Sequence, residues 1–153
     1  MKRKTINNAH KDFDSKSYVL DTSVIIERVA SRQIKKGKLR GNIIIPNAVL
    51  AELEHQANTN QETGFIGFDE LAELYNLAKE KKIKLEFQGL RPAAGQIRHA
   101  RLGEIDSIVK ELAARNKATL VTADYVQAKS AEVFGMAVML IKIRKLRKAL
   151  SIE

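Results

Sequence analysis

The chain has 153 residues, which fits one domain of ordinary size with enough length to bury roughly two thirds of the surface its unfolded chain exposes. It has no cysteine, which excludes disulfides, thiolate metal sites and cysteine catalysis. Its formal net charge of +9 favours a polyanionic partner, nucleic acid first, but names no chemistry. Apolar runs such as Ala137 to Ile141 fall far short of the ~20 residues a bilayer span needs. The basic start, Lys2, Arg3 and Lys4, leads into no apolar stretch. No membrane partner and a cytoplasmic location are therefore expected.

Residues 1–16 are polar and aperiodic and are expected to form a flexible arm. Tyr18 to Leu20 reads as a short buried strand. Asp21, Thr22 and Ser23 break it, and one of them can cap a helix from about Val24 to Ile34. Lys35, Lys36, Lys38 and Arg40 fall in a basic loop. Asn42 to Ile45 is a second buried strand, stopped by Pro46, a residue suited to a helix start. Val49, Leu50, Leu53 and Ala57 then recur at helical spacing. Residues 58–64 are expected to be a polar turn before a helix marked by Phe68, Leu71, Leu74, Tyr75 and Ala78. Ile83 to Phe87 alternates as a strand, and 89–95 is a loop around Pro92. Ile105, Ile108, Val109 and Leu112 mark a helix ending near Asn116. Ala118 to Val121 is a buried strand leading into Thr122, Ala123 and Asp124. A helix from Tyr125 to Phe134 should stop at Gly135. Ala137 to Ile141 is a last strand, and Arg144 to Leu150 a short basic helix. Strands alternating with helices, several of them β-branched runs, indicate an α/β fold with a parallel sheet covered on both faces.

Ligands bind such sheets beyond the carboxyl ends of the strands. Two predicted strands end there in an aspartate, Asp21 and Asp124. For either one alone, helix capping is a sufficient explanation. Two at one sheet edge repel unless something offsets their charge. Glu52 and Glu54, and Glu104 and Asp106, sit early in helices that could bring more acid to that edge. Within each pair the two acids flank the apolar stripe on opposite sides, so periodicity does not choose between them.

VLDTSVII, IPNAVLAEL, GEIDSIVKELA and LVTAD, in this order and spacing, resemble the PIN family (PilT N-terminus-like nucleases) from about Tyr18 to Lys142. TADYVQAKSAEVFGMAVMLIK is most similar to the N-terminal PIN domain of archaeal PIN–KH ATPases, with toxin ribonucleases of toxin–antitoxin pairs as the second group. The resemblance implies a three-layer α/β/α fold around a mostly parallel five-stranded sheet. It places the PIN domain at 17–142, followed by a basic helix or linker at 143–153. It implies a catalytic and metal-binding set of Asp21, Glu52, Asp106 and Asp124, with Ser23 and Thr122 as supporting hydroxyls and Glu104 as a peripheral candidate. An all-oxygen set of this kind suits one or two Mg²⁺ or Mn²⁺ ions, not zinc. Two unit charges 4 Å apart cost ~4 kcal/mol at an effective dielectric near 20, so such acids need protons or cations between them.

The implied function is metal-dependent hydrolysis of phosphodiester bonds, RNA favoured, in a protein expected to form homo-oligomers and to work with an ATPase domain or an antitoxin. A non-catalytic module that binds nucleic acid or drives oligomerisation is the alternative of another class. Lys35, Lys36, Lys38 and Arg40 are candidates for holding backbone phosphates if their loop borders the acids, as are Arg91, Arg98 and Arg101. Their default reading is a solvated surface. The short match of Gly64 to Gly67 to a G-x-x-G RNA-binding loop is better read as a turn before a helix. GLRPAAGQ lacks the Lys and Ser or Thr of a phosphate-binding P-loop. His10, His55 and His99 are isolated and support no Ser-His-Asp arrangement.

Overall fold

The computed structural model describes residues 16–93, 95 and 103–143. Residues 1–15 of the expected arm, His10, Arg98, His99, Arg101 and the expected basic helix at 144–150 lie outside the described residues. Elements run in the order β1 (Ser17–Leu20), α1 (Thr22–Ile26), α2 (Val29–Lys35), β2 (Asn42–Pro46), α3 (Asn47–Asn58), α4 (Glu62–Lys79), β3 (Lys84–Gln88), α5 (Glu104–Arg115), β4 (Thr119–Thr122), α6 (Tyr125–Val133) and β5 (Val138–Leu140). All five strands pair in parallel, in the order β3-β2-β1-β4-β5.

This order follows from chain direction. The chain steps from β1 to β2 to β3 on one side, then returns to lay β4 on the free side of β1. The direction reverses between β1 and β4, and a crevice opens beyond the carboxyl ends of strands at such a switch point. Leu20 of β1 lies opposite Val121 of β4. The residues that follow both strands therefore meet at the switch point.

In the inner strands, successive residues are buried whichever way they point: Val19 and Leu20, Ile43 to Ile45, Leu120 and Val121. A strand buried at both alternating positions needs helices on both faces, which gives the three α/β/α layers. Helix α5 packs on β1, β2 and β4, and α6 on β4 and β5. At the sheet edge, β3 exposes Lys84, Glu86 and Phe87, the charges blunting further strand pairing.

The single helix expected over 24–34 is two helices, α1 and α2, broken at Arg28, whose backbone is left-handed with φ 58°. The cause is tertiary. Glu70 of α4, only 1% exposed, accepts hydrogen bonds from the Ser31 backbone N–H (3.0 Å) and from Ser31 Oγ (2.7 Å). A carboxyl from a distant helix thus caps the start of α2, where Arg28 at the N-cap makes no side-chain cap. Glu70→Ala leaves a buried donor without a partner and is expected to cost about 1–3 kcal/mol. Glu70→Gln, which keeps one acceptor oxygen, should cost less. Denaturation midpoints in urea would rank the two.

The turn expected over 58–64 is shorter, because α4 begins at Glu62 and includes both Gly64 and Gly67. A Cβ on Gly64 would lie 2.3 Å from the backbone nitrogen of Ala57 and 2.7 Å from the Leu53 carbonyl oxygen. One on Gly67 would lie 2.4 Å from Leu53 Cδ2. The GFIG segment is therefore the close crossing of α3 and α4, not a turn. Pro46 closes β2 and stands at the N-cap of α3 rather than inside the helix. Gly135 stops α6 as expected, with φ +75° and its N–H donating to the Glu132 carbonyl at 2.9 Å.

Candidate metal centre at the carboxyl edge of the sheet

Asp21 leaves β1 at the switch point and is 3% exposed. It stands at the N-cap of α1, yet its carboxylate makes no capping bond to that helix. Instead Oδ2 accepts from Ser23 Oγ (2.9 Å) and from Thr122 Oγ1 (2.8 Å). Each hydroxyl also accepts a backbone N–H from the loop after β4: Ala123 N–H donates to Ser23 Oγ (2.9 Å), and Asp124 N–H to Thr122 Oγ1 (3.0 Å). A hydroxyl has one proton to give. Both protons go to Asp21, so the 3.3 Å approach of the two hydroxyls is a contact and not a further bond. Ser23 and Thr122 thus pin the loops after β1 and β4 to one carboxylate oxygen.

The helix acids divide as periodicity alone could not. Glu52 of α3 accepts a hydrogen bond from Thr22 Oγ1 at 2.9 Å, which turns it toward the loop after β1. Glu54 pairs with Arg91 in the loop after β3. Asp106, half-buried in the first turn of α5, feels the charges of Asp21 and Asp124. Glu104 is exposed and lines a separate cavity of about 530 Å³ between residues 89–92 and α5. Asp124 caps α6, its Oδ1 accepting from the backbone N–H groups of Val126 (2.9 Å) and Gln127 (3.4 Å). The capping explanation therefore holds for Asp124 and fails for Asp21.

Burial is the largest influence on Asp21 and raises its carboxyl above the ordinary range. Hydrogen bonds from Thr122, Ser23 and the Thr22 backbone pull it down, and the charge of Asp124 raises it again. Glu52 is raised by burial and by the charges of Asp21 and Asp106, against the Thr22 hydrogen bond. Asp106 is raised by burial and by Asp21 and Asp124, with Lys110 acting the other way. Each of the four acids is thus within electrostatic reach of at least one other. Among the described residues, no three His, Asp or Glu side chains gather closely enough to grip one ion directly. The all-oxygen set still fits Mg²⁺, which commonly binds through one or two carboxylates and keeps several waters.

Two partners of these acids were not apparent from sequence. Thr22, at the first position of α1, orients Glu52. Gln127, 3% exposed, donates through Nε2 to the Asp106 backbone carbonyl at 3.1 Å while its own N–H bonds Asp124, so it ties the starts of α5 and α6 together. A polar residue on the inner face of α6 was the available signal.

The basic loop does not border the acids. Lys35, Lys36, Lys38 and Arg40 connect the end of α2 to the start of β2, at the amino edge of the parallel sheet. Lys38 and Arg40 share a pocket there with Lys16 and Tyr18, and Lys35 pairs with Glu73 at 2.9 Å. No helix among the described residues is long and apolar enough to cross a membrane.

The PIN-domain family model matches residues 18–133. The chain is 39% identical over 126 residues to an uncharacterised KH- and PIN-domain-containing protein of Methanocaldococcus jannaschii, a match covering 82% of this chain and 20% of that protein. It is 32% identical over 142 residues to an uncharacterised PIN- and TRAM-domain-containing protein of Bacillus subtilis, covering 90% of this chain and 36% of that protein. The chain thus spans about a fifth and about a third of these relatives. A solved domain of a functionally unknown M. jannaschii protein superposes with a TM-score of 0.80 at 37% identity, covering 84% of this chain and 92% of that one. The chain belongs to the PIN-domain family, whose members are generally nucleases that use divalent metal ions.

Proposed function

We propose that this domain is a Mg²⁺- or Mn²⁺-dependent nuclease that hydrolyses phosphodiester bonds of single-stranded RNA, through Asp21, Glu52, Asp106 and Asp124. The observation that carries this reading is the buried Asp21 at the switch point, raised by burial and by neighbouring acid, with only oxygen-bearing side chains bonded to its carboxylate among the described residues. Asp21 would hold the ion, with Asp106 and Asp124 contributing directly or through water and Glu52 completing the set. A bound divalent ion lowers the pKa of a water and offsets charge on the leaving oxygen. The chain's own residues supply the positioning. Ser23 and Thr122 fix the orientation of the Asp21 carboxylate through Oδ2. Thr22 aims Glu52, and Gln127 sets the spacing of Asp106 from Asp124.

The M. jannaschii relative, named for a KH domain as well as a PIN domain, supports a place within a larger nucleic-acid-handling protein over a free-standing toxin. The test compares two neighbours on α3. Glu52→Gln should lower cleavage of a labelled single-stranded RNA by on the order of 10-fold or more. Glu54→Gln, which only releases Arg91, should leave the rate within about twofold. Equal effects would remove Glu52 from the site.

A further inference from the structure

Tyr125 is the first residue of α6 and directly follows Asp124, yet its side chain is 63% exposed. A tyrosine left in water this far gives up most of its burial energy, and core packing does not explain it. Side chains on a helix lean toward its N-terminus. From the first position of α6, that lean carries Tyr125 toward the carboxyl edge of the sheet, where Asp21 and Asp124 stand. Lys129, one turn further on, has its ammonium 5.4 Å from the Tyr125 ring centroid and 3.3 Å from Glu132. An exposed aromatic ring with a lysine alongside, bordering a set of acids, has the makings of a stacking platform: the ring takes a base face and the cation a backbone phosphate.

We propose that Tyr125 is a base-stacking residue for an unpaired nucleotide next to the scissile phosphate, with Lys129 beside it as a phosphate contact. This deepens the nuclease reading of the same site and rests on it. It also specifies the substrate further. A base inside a duplex has no free face to offer, so the subsite selects single strands, without reading their sequence. The acids repel a polyanion, and a stacked base supplies attraction at the place where charge does not.

The test measures binding of short fluorescent oligoribonucleotides by anisotropy, in an Asp21→Asn background, so that binding is read without cleavage. Tyr125→Ala should weaken binding of a single strand roughly 5- to 150-fold. Tyr125→Phe should stay within about twofold, and a blunt duplex should bind both variants alike. One abasic nucleotide is then moved along the strand. At one position it should weaken the Tyr125-containing protein to the level of Tyr125→Ala, and weaken Tyr125→Ala no further. Additive losses at every position, or no loss on Tyr125→Ala, would overturn the proposal. Melting curves for each variant exclude a folding defect. Cleavage by the unmodified domain, measured separately, distinguishes the two readings. Cleavage with Tyr125-independent binding sinks stacking alone, whereas Tyr125-dependent binding with no cleavage under any metal sinks the nuclease reading.

Discussion

Gly64→Ala is expected to destabilise the domain by about 2–4 kcal/mol, among the larger single-residue effects. The added Cβ would stand 2.3 Å from the Ala57 backbone nitrogen and 2.8 Å from its Cα. Backbone does not swing aside, so relief requires α3 and α4 to separate. Alanine's better helix propensity, worth about 1 kcal/mol over glycine, does not offset this. Gly67→Ala meets only the end of the Leu53 side chain, which has other rotamers, and should cost less. Because α3 carries Glu52, separating the helices also moves an acid away from Thr22. Gly64→Ala should therefore lose activity at temperatures where circular dichroism still reports a folded domain.

Asp21→Asn is expected to abolish measurable cleavage, a loss on the order of 10²-fold or more, while making the metal-free domain harder to melt. The amide oxygen can still accept the protons of Ser23 and Thr122, so the clamp between the loops survives. What disappears is a buried charge. The sign with pH follows from the raised carboxyls of Asp21, Glu52 and Asp106. A group whose folded pKa is raised gives stability that is fully present below its unfolded value and lost as pH rises through the folded value. In EDTA, the unmodified domain should therefore lose stability relative to Asp21→Asn as pH climbs from about 4 toward neutrality. The gap between their melting temperatures should widen over that window. Mn²⁺ should narrow it, by stabilising only the protein that retains Asp21. A constant gap at all pH values would mean that Asp21 is not held against its charge.

How much of this was readable beforehand depended on the range of the interaction. Asp21 and Asp124 were visible as acids at the ends of apolar runs, because strand and cap are local patterns. The α/β layering was visible for the same reason. Glu52 and Glu54 were not separable by periodicity, because they flank one apolar stripe symmetrically, and only the family resemblance chose Glu52. What separates them is Thr22, thirty positions away, and Arg91 in the loop after β3. The break at Arg28 was hidden because its cause, Glu70, belongs to another helix. Gly64 read as a turn because glycine signals chain reversal and close helix approach equally well, and only the partner helix decides. The place of the basic loop follows from topology, and it agrees with the default reading of a solvated surface. A loop running from a helix into a parallel strand lies at the amino edge, away from a crevice at the carboxyl edge.

The most direct test of the central claim is cleavage of a uniformly labelled single-stranded RNA by purified domain, with Mn²⁺, with Mg²⁺ or with EDTA, alongside Asp21→Asn. The expected result is cleavage with one or both ions, none in EDTA, and none by the variant under any condition. Cleavage that persists in EDTA, or that survives Asp21→Asn undiminished, would contradict the account.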